Sequence, residues 1–180
     1  MKLPVYLSLL HTSEGTLAAS LRQVSEGHGH EPDVHFICQI LAAQCDVHRE
    51  ALAPMLERYG ELEDDEPERL HVDGLATTRS GPVGLLRDLQ DLYLLASLVD
   101  ITWAMIKQAA HGLRDAELLG IVTECDGETA IQLRWLQTRM KQAAPQALIL
   151  AGSRPTDGHD VVPAGLSGGP KLMGTVSDTQ

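Results

Sequence analysis

The chain has 180 residues, 43% of them apolar, and a formal net charge of −11, which is enough to build one domain with a real core. Such an acidic chain without a basic stripe argues against nucleic acid as a main partner. Its three cysteines, Cys38, Cys45 and Cys125, form no CxxC pair and no even disulfide set, so reduced thiols and a cytoplasmic setting are expected.

The opening "MKLPVYLSLL" resembles a signal peptide only superficially. Pro4 interrupts the apolar run, and His11 and Glu14 follow within a turn. The apolar period also continues past residue 20, which assigns the segment to the fold. It carries Leu3, Leu7, Leu10, Glu14, Leu17, Leu21 and Val24 at alternating steps of four and three. "EGHGHEP" (26–32) closes this first helix, and Pro32 suits the first turn of a second. That helix presents Val34, Ile37, Leu41, Cys45, His48, Leu52, Met55 and Tyr59, with Gly60 as its stop.

Six carboxylates between Glu61 and Glu68 then read as a solvated loop. Ser80-Gly81-Pro82 offers a cap and an early proline for a third helix, whose stripe is Leu85, Leu89, Leu92, Ala96, Val99, Trp103, Ile106, Ala110 and Leu113. Asp115 is placed to cap a fourth, with Leu118, Val122, Cys125, Thr129, Gln132, Leu136 and Met140 on its seam and Pro145 near its end. A repeat of 3.5 residues held over four segments predicts an all-α, antiparallel four-helix bundle. Its second connection, some twenty residues long, can run from end to end. The expected organisation is a bundle over 1–150 and a flexible Gly/Pro-rich tail over 151–180. No uninterrupted run of 18 apolar residues occurs, so no membrane partner is expected.

Each seam except the third is interrupted by polar side chains near its midpoint: Glu14 on the first helix, Cys45 and His48 on the second, Thr129 and Gln132 on the fourth. The third offers Ala96. Midpoints of antiparallel helices meet, so these residues are expected in one buried polar layer. A buried Glu requires a partner, neutralisation or a metal.

At this layer "QLRWLQTRM" (132–140) resembles a bacterioferritin-type segment in which a metal-binding His precedes I-D-W-L-E-T-Q-L, with Trp135, Leu136 and Thr138 in register. Helix order and the long second connection are likewise similar to the ferritin-like superfamily across roughly residues 3 to 145. The resemblance implies a two-metal centre held by two single Glu and two Glu-x-x-His pairs. Carried over, these positions fall on Glu14, on Cys45-x-x-His48, at or beside Ala96, and on Thr129-x-x-Gln132, with Glu128 one residue off register. Only Glu14 and His48 keep their type. That set lacks the carboxylate oxygens two ferrous ions need, so a decayed di-metal centre is expected.

Two readings of Cys45-x-x-His48 then stand. One is a hydrogen-bonded network running from Glu14 to His48 to Gln132, with Cys45 and Thr129 as fillers. The other is a half-site in which Glu14, Cys45, His48 and Gln132 hold a single zinc or iron ion. Elsewhere, His28, His30 and His35 are expected as solvated or capping residues, His11 is within a turn of Glu14, Trp103 and Trp135 belong to the core, and Asp88 and Asp91 face solvent. The chain has no phosphate-binding loop, nucleophile elbow or hydrolase carboxylate pair. Non-catalytic binding or assembly, without a resident cofactor, is the expected role. Metal or redox handling is the alternative. A homodimer or larger homo-oligomer is expected through apolar residues off the seams, such as Tyr6, Phe36 and Leu94, and the tail is a candidate docking segment for a protein partner.

Overall fold

A computed structural model of the chain describes residues 2–60 and 73–150. The acidic stretch from Glu61 to Glu68 and the tail at 151–180 lie outside the described residues. The described residues form four long helices and no strand: α1 (Leu3–Gly27), α2 (Pro32–Tyr59), α3 (Gly81–Leu113) and α4 (Ala116–Pro145), the last continuing into a π-helical turn at Gln146–Leu150. The protein is therefore all-α.

The local signals at the helix ends act largely as expected. Prolines occupy the first turns of α1, α2 and α3, where a missing N–H costs no intrahelical bond. Gly60 stops α2 with φ at 86°, a conformation that favours glycine. Asp115 caps α4, its Oδ1 accepting from the backbone N–H groups of Glu117 and Leu118 at 3.1 Å. Ser80 differs from expectation: it precedes α3 in extended conformation, but its hydroxyl makes no capping bond. Pro145 lacks an N–H and cannot continue the α ladder, and the wider turn begins just after it.

Helix α1 packs on α2 and α3, and α4 packs on α3 and α2. The seam residues meet between them. Leu7, Leu10, Leu17, Val34, Leu52, Leu89, Leu92, Trp103, Leu118 and Val122 are fully shielded from solvent. Leu113, expected as the last residue of the third seam, is instead 46% exposed. Helix α3 contains an 18-residue window of mean hydropathy 1.3, long and apolar enough by composition to cross a membrane, with 44% of the window buried. This apolarity has two sources: a core face, and an outer row with Leu94, Ile101 and Met105 exposed.

Ion pairs and hydrogen bonds fix which ends meet. Ser25 near the end of α1 bonds His35 at the start of α2. His28, just beyond α1, bonds Asp88 in the first turns of α3. Arg58 at the end of α2 reaches Asp115 before α4, while Arg139 near the end of α4 reaches Glu31 and Asp33 at the start of α2. The described part of the second connection, residues 73–80, runs along α1. The Leu75 N–H donates to Ser20 Oγ at 3.2 Å, and Thr78 lies against Gly27. A Cβ at Gly27 would clash with the Thr78 side chain, so glycine suits this approach.

A clasp holds the end of that segment. Asp88, expected at the surface, is fully buried. It accepts from His28 Nε2 at 2.8 Å, from the Arg79 backbone N–H at 2.9 Å and from the Arg79 guanidinium at 2.7 Å. His28, expected as solvated or capping, is fully buried with it. A buried carboxylate needs this number of donors.

Candidate functional site

The polar layer forms at the midpoints of α1, α2 and α4. Glu14 and Thr129 are fully buried, as is Cys45, and His48 and Gln132 are each 1% exposed. Ala96 is buried at the same seam on α3. One carboxylate oxygen of Glu14, Oε1, accepts from His48 Nδ1 at 2.9 Å and from Trp103 Nε1 at 2.9 Å. The imidazole stands edge-on to the Trp103 indole at 5.9 Å between centroids. The other ring nitrogen, His48 Nε2, bonds Glu128 Oε2 at 3.0 Å. One imidazole thus bridges two carboxylates, one fully buried and one with its side chain 38% exposed.

The electrostatics follow from that bridge. Burial alone depresses the His48 pKa, but hydrogen bonds and charge from Glu14, then Glu128, outweigh it, and the ring is held above its ordinary value. The imidazolium can donate at both nitrogens. Glu14 Oε2 is buried with no hydrogen-bond partner among the described residues. The thiols beside the layer remain protonated. Burial first, then Glu14, push Cys45 far up, and burial with Glu14 and Glu128 raises Cys125 to about 12. Neither is an available thiolate nucleophile in this state.

Of the four residues expected to share a metal, the structure brings Glu14 onto His48 and Cys45 onto Gln132. Cys45 Sγ lies 3.9 Å from the Gln132 amide oxygen and nitrogen, and Gln132 Nε2 donates to Gln44 Oε1 at 3.2 Å. The expected bond from His48 to Gln132 is replaced by the one to Glu128. Among the described residues, no three His, Cys, Asp or Glu side chains group in a way that could hold a metal ion. The donor atoms turn toward one another, and both nitrogens of His48 are occupied, so the set does not fit a bound metal without rearrangement.

Sequence reasoning also undervalued two participants. Trp103 was legible as core, but its N–H serves the carboxylate. Glu128 stands one residue off the seam, yet its longer side chain reaches across to α2 from a neighbouring angle on α4. The signal for both was the need of Glu14 and His48 for further partners. His11, expected within reach of the layer, makes no bond to it; burial and the charge of Arg49 lower its pKa. His30 is exposed with its ring 6.0 Å from that of His28, and His35 bonds Ser25.

Chemically, the layer can hold a proton between two carboxylates and fix the relative positions of α1, α2, α3 and α4. It presents no activated nucleophile. No protein-family model, curated protein or solved structure matches the chain.

Proposed function

We propose that this chain is a non-catalytic binding or assembly protein, built as an antiparallel four-helix bundle of ferritin-like type whose di-metal centre has become a structural network. The observation that carries this reading is His48, bridged at both ring nitrogens by Glu14 and Glu128. A ring used in this way links helices and leaves no nitrogen lone pair for a metal. The antiparallel arrangement is supported by the ends that meet: α1 with α2 and α3, and α2 with α4, each end against start. The assembly role is supported by the outer surface, where Phe36, Ile40, Val47, Leu94 and Ile131 are all more than half exposed. Exposed apolar side chains in rows favour association.

A second reading has one observation in its favour, the unpartnered buried oxygen of Glu14. In that reading a single zinc or iron ion draws on Glu14, Cys45, His48 and Gln132, after the ring leaves one carboxylate and the Cys45 thiol ionises. The test is elemental analysis and light scattering on one tag-free sample at tens of micromolar. The proposal expects substoichiometric metal and a mass above that of one chain. A full equivalent of metal, or the mass of one chain, overturns it.

A further inference from the structure

A second polar site lies outside the central layer. A cleft of about 520 Å³ follows α1 and is lined by Arg49 of α2 and by Gly74 and Leu75 of the connection. The Arg49 guanidinium lies across α1 at Gly15, where an added Cβ would stand 3.3 Å from its Nε and 3.4 Å from its Cζ. Its Nε is shielded from solvent and lacks a hydrogen-bond partner. Arg22, Arg58, Arg79 and Arg139 each hold a carboxylate, whereas among the described residues none pairs with Arg49. Asp46, on the same helix, is taken by Arg22, and Glu14, next to Gly15 in the chain, turns inward to His48 and Trp103. A half-buried guanidinium with an unmet donor and no counter-charge is costly. Among the features of this surface, it is the one that calls for an anion.

The other lining residues supply hydrogen-bonding groups. Ser20 is buried, and its Oγ accepts the Leu75 N–H at 3.2 Å, which leaves the hydroxyl its own proton to donate. The connection fits closely at this point: an added Cβ at Gly74 would stand 3.0 Å from Ser20 Oγ. Thr12, Thr16 and Gln23 line the same cleft, as does His11. Burial, then the charge of Arg49, holds His11 below its ordinary value, so its ring is neutral at pH 7 and presents one donor and one acceptor. Arg49 is then the one charged side chain among the lining residues.

We infer that this cleft binds a small polar carboxylate of the hydroxy-acid kind, with its carboxylate on the Arg49 guanidinium and its polar body among the hydroxyls of α1. A guanidinium presents paired N–H groups that match the two oxygens of a carboxylate. A phosphate monoester carries nearly two negative charges at neutral pH, and a single cation in a chain of net charge −11 offsets only part of that. One carboxylate balances one guanidinium, while a neutral solute leaves Arg49 without its counter-charge. The donors of α1 suit hydroxyl or carbonyl groups on the rest of the ligand better than a long alkyl chain. This goes beyond the assembly reading and does not depend on it, because every group in the site comes from one chain.

The experiment titrates the full nitrogen-15-labelled chain with lactate to about 50 mM, with lactamide as the uncharged analogue and inorganic phosphate as the rival anion. The Arg49 Nε–H and His11 ring signals in NMR report occupancy, and circular dichroism checks folding of each variant. Lactate should move both signals saturably, and lactamide should bind at least about tenfold more weakly. Arg49→Gln, followed at His11, should weaken lactate by at least about tenfold, whereas Arg22→Gln, at an exposed arginine paired with Asp46, should leave it unchanged. An absence of saturable shifts with lactate, equal binding of lactamide, or undiminished binding by Arg49→Gln overturns the site. Tighter binding of phosphate than of lactate overturns the carboxylate assignment. If Arg49→Gln fails to fold, the comparison of lactate with lactamide on the parent decides. Light scattering on the same samples keeps the two readings apart: a monomer that binds lactate refutes assembly alone, and an oligomer that ignores lactate refutes this site alone.

Discussion

Replacing His48 with alanine removes the side chain that bonds both Glu14 and Glu128. Among the described residues Glu14 then keeps the Trp103 N–H as a donor to Oε1, with Oε2 still lacking a hydrogen bond and no solvent contact. Removing one partner of a buried, hydrogen-bonded ion pair costs about 3–5 kcal/mol, because the charge left behind is uncompensated. The lost ring volume adds to this cost. Glu14→Gln is different: the amide oxygen can still accept from Trp103, and the His48 imidazolium keeps Glu128 as its counter-charge, so about 1–2 kcal/mol is expected. With Glu14→Gln already in place, His48→Ala strands no carboxylate. The double variant should therefore be more stable than the sum of single effects by about 1–3 kcal/mol. Urea denaturation followed by helical circular dichroism measures all three, and an unchanged slope against denaturant shows that the same unfolding is compared. A His48→Ala cost below about 1 kcal/mol, or a Glu14→Gln cost equal to it, refutes the reasoning.

Further outcomes follow from the same geometry. The folded pKa of His48 lies above its ordinary value of 6.5, so its stabilisation is fully present below 6.5 and is lost as pH rises through the folded value. The stability gap between the parent and His48→Gln should therefore narrow toward alkaline pH, and a widening gap contradicts the assignment. The clasp predicts that Asp88→Asn costs about 1.5–3 kcal/mol and makes residues 73–80 more susceptible to limited proteolysis. Gly27→Ala should do the same through its clash with Thr78, at about 1–3 kcal/mol, and unchanged cleavage of both variants counts against the packed segment. All three cysteines are buried, and burial raises Cys38 and Cys125 to about 12 and Cys45 further. A thiol reagent should accordingly label none of them quickly in the native protein and all three in denaturant, whereas rapid native labelling would show an open core.

The helices were legible because their apolar residues recur with one period and their ends carry strong backbone signals. Pro32 fixes its own φ and Gly60 admits the positive φ that ends a helix, so α2 could be bounded without knowledge of its neighbours. The buried layer was legible for a related reason: Glu14 and His48 interrupt rows of leucine at matching depth, and an interruption in a seam has to be answered by another helix. Which residue answers was less accessible. The choice of Glu128 over Gln132 is not written in the seam: Gln132 bonds Gln44 instead, and Glu128, one residue off the seam, reaches His48 with a flexible side chain. Asp88 and His28 were hidden for another reason. Both are polar, and the bonds that hold them join segments distant in sequence: His28 after α1, Arg79 in the connection and Asp88 on α3. The Arg79 backbone N–H that helps hold Asp88 has no side-chain signature.

The most direct measurement is the protonation of both His48 ring nitrogens, read by nitrogen-15 NMR on imidazole-labelled protein and assigned with His48→Gln. At neutral pH both nitrogens should carry protons and keep them above the usual range for histidine, without change on adding chelator. A neutral ring with one bare nitrogen, or a nitrogen signal that chelator shifts, would contradict a structural carboxylate–imidazole–carboxylate network at the centre of the bundle.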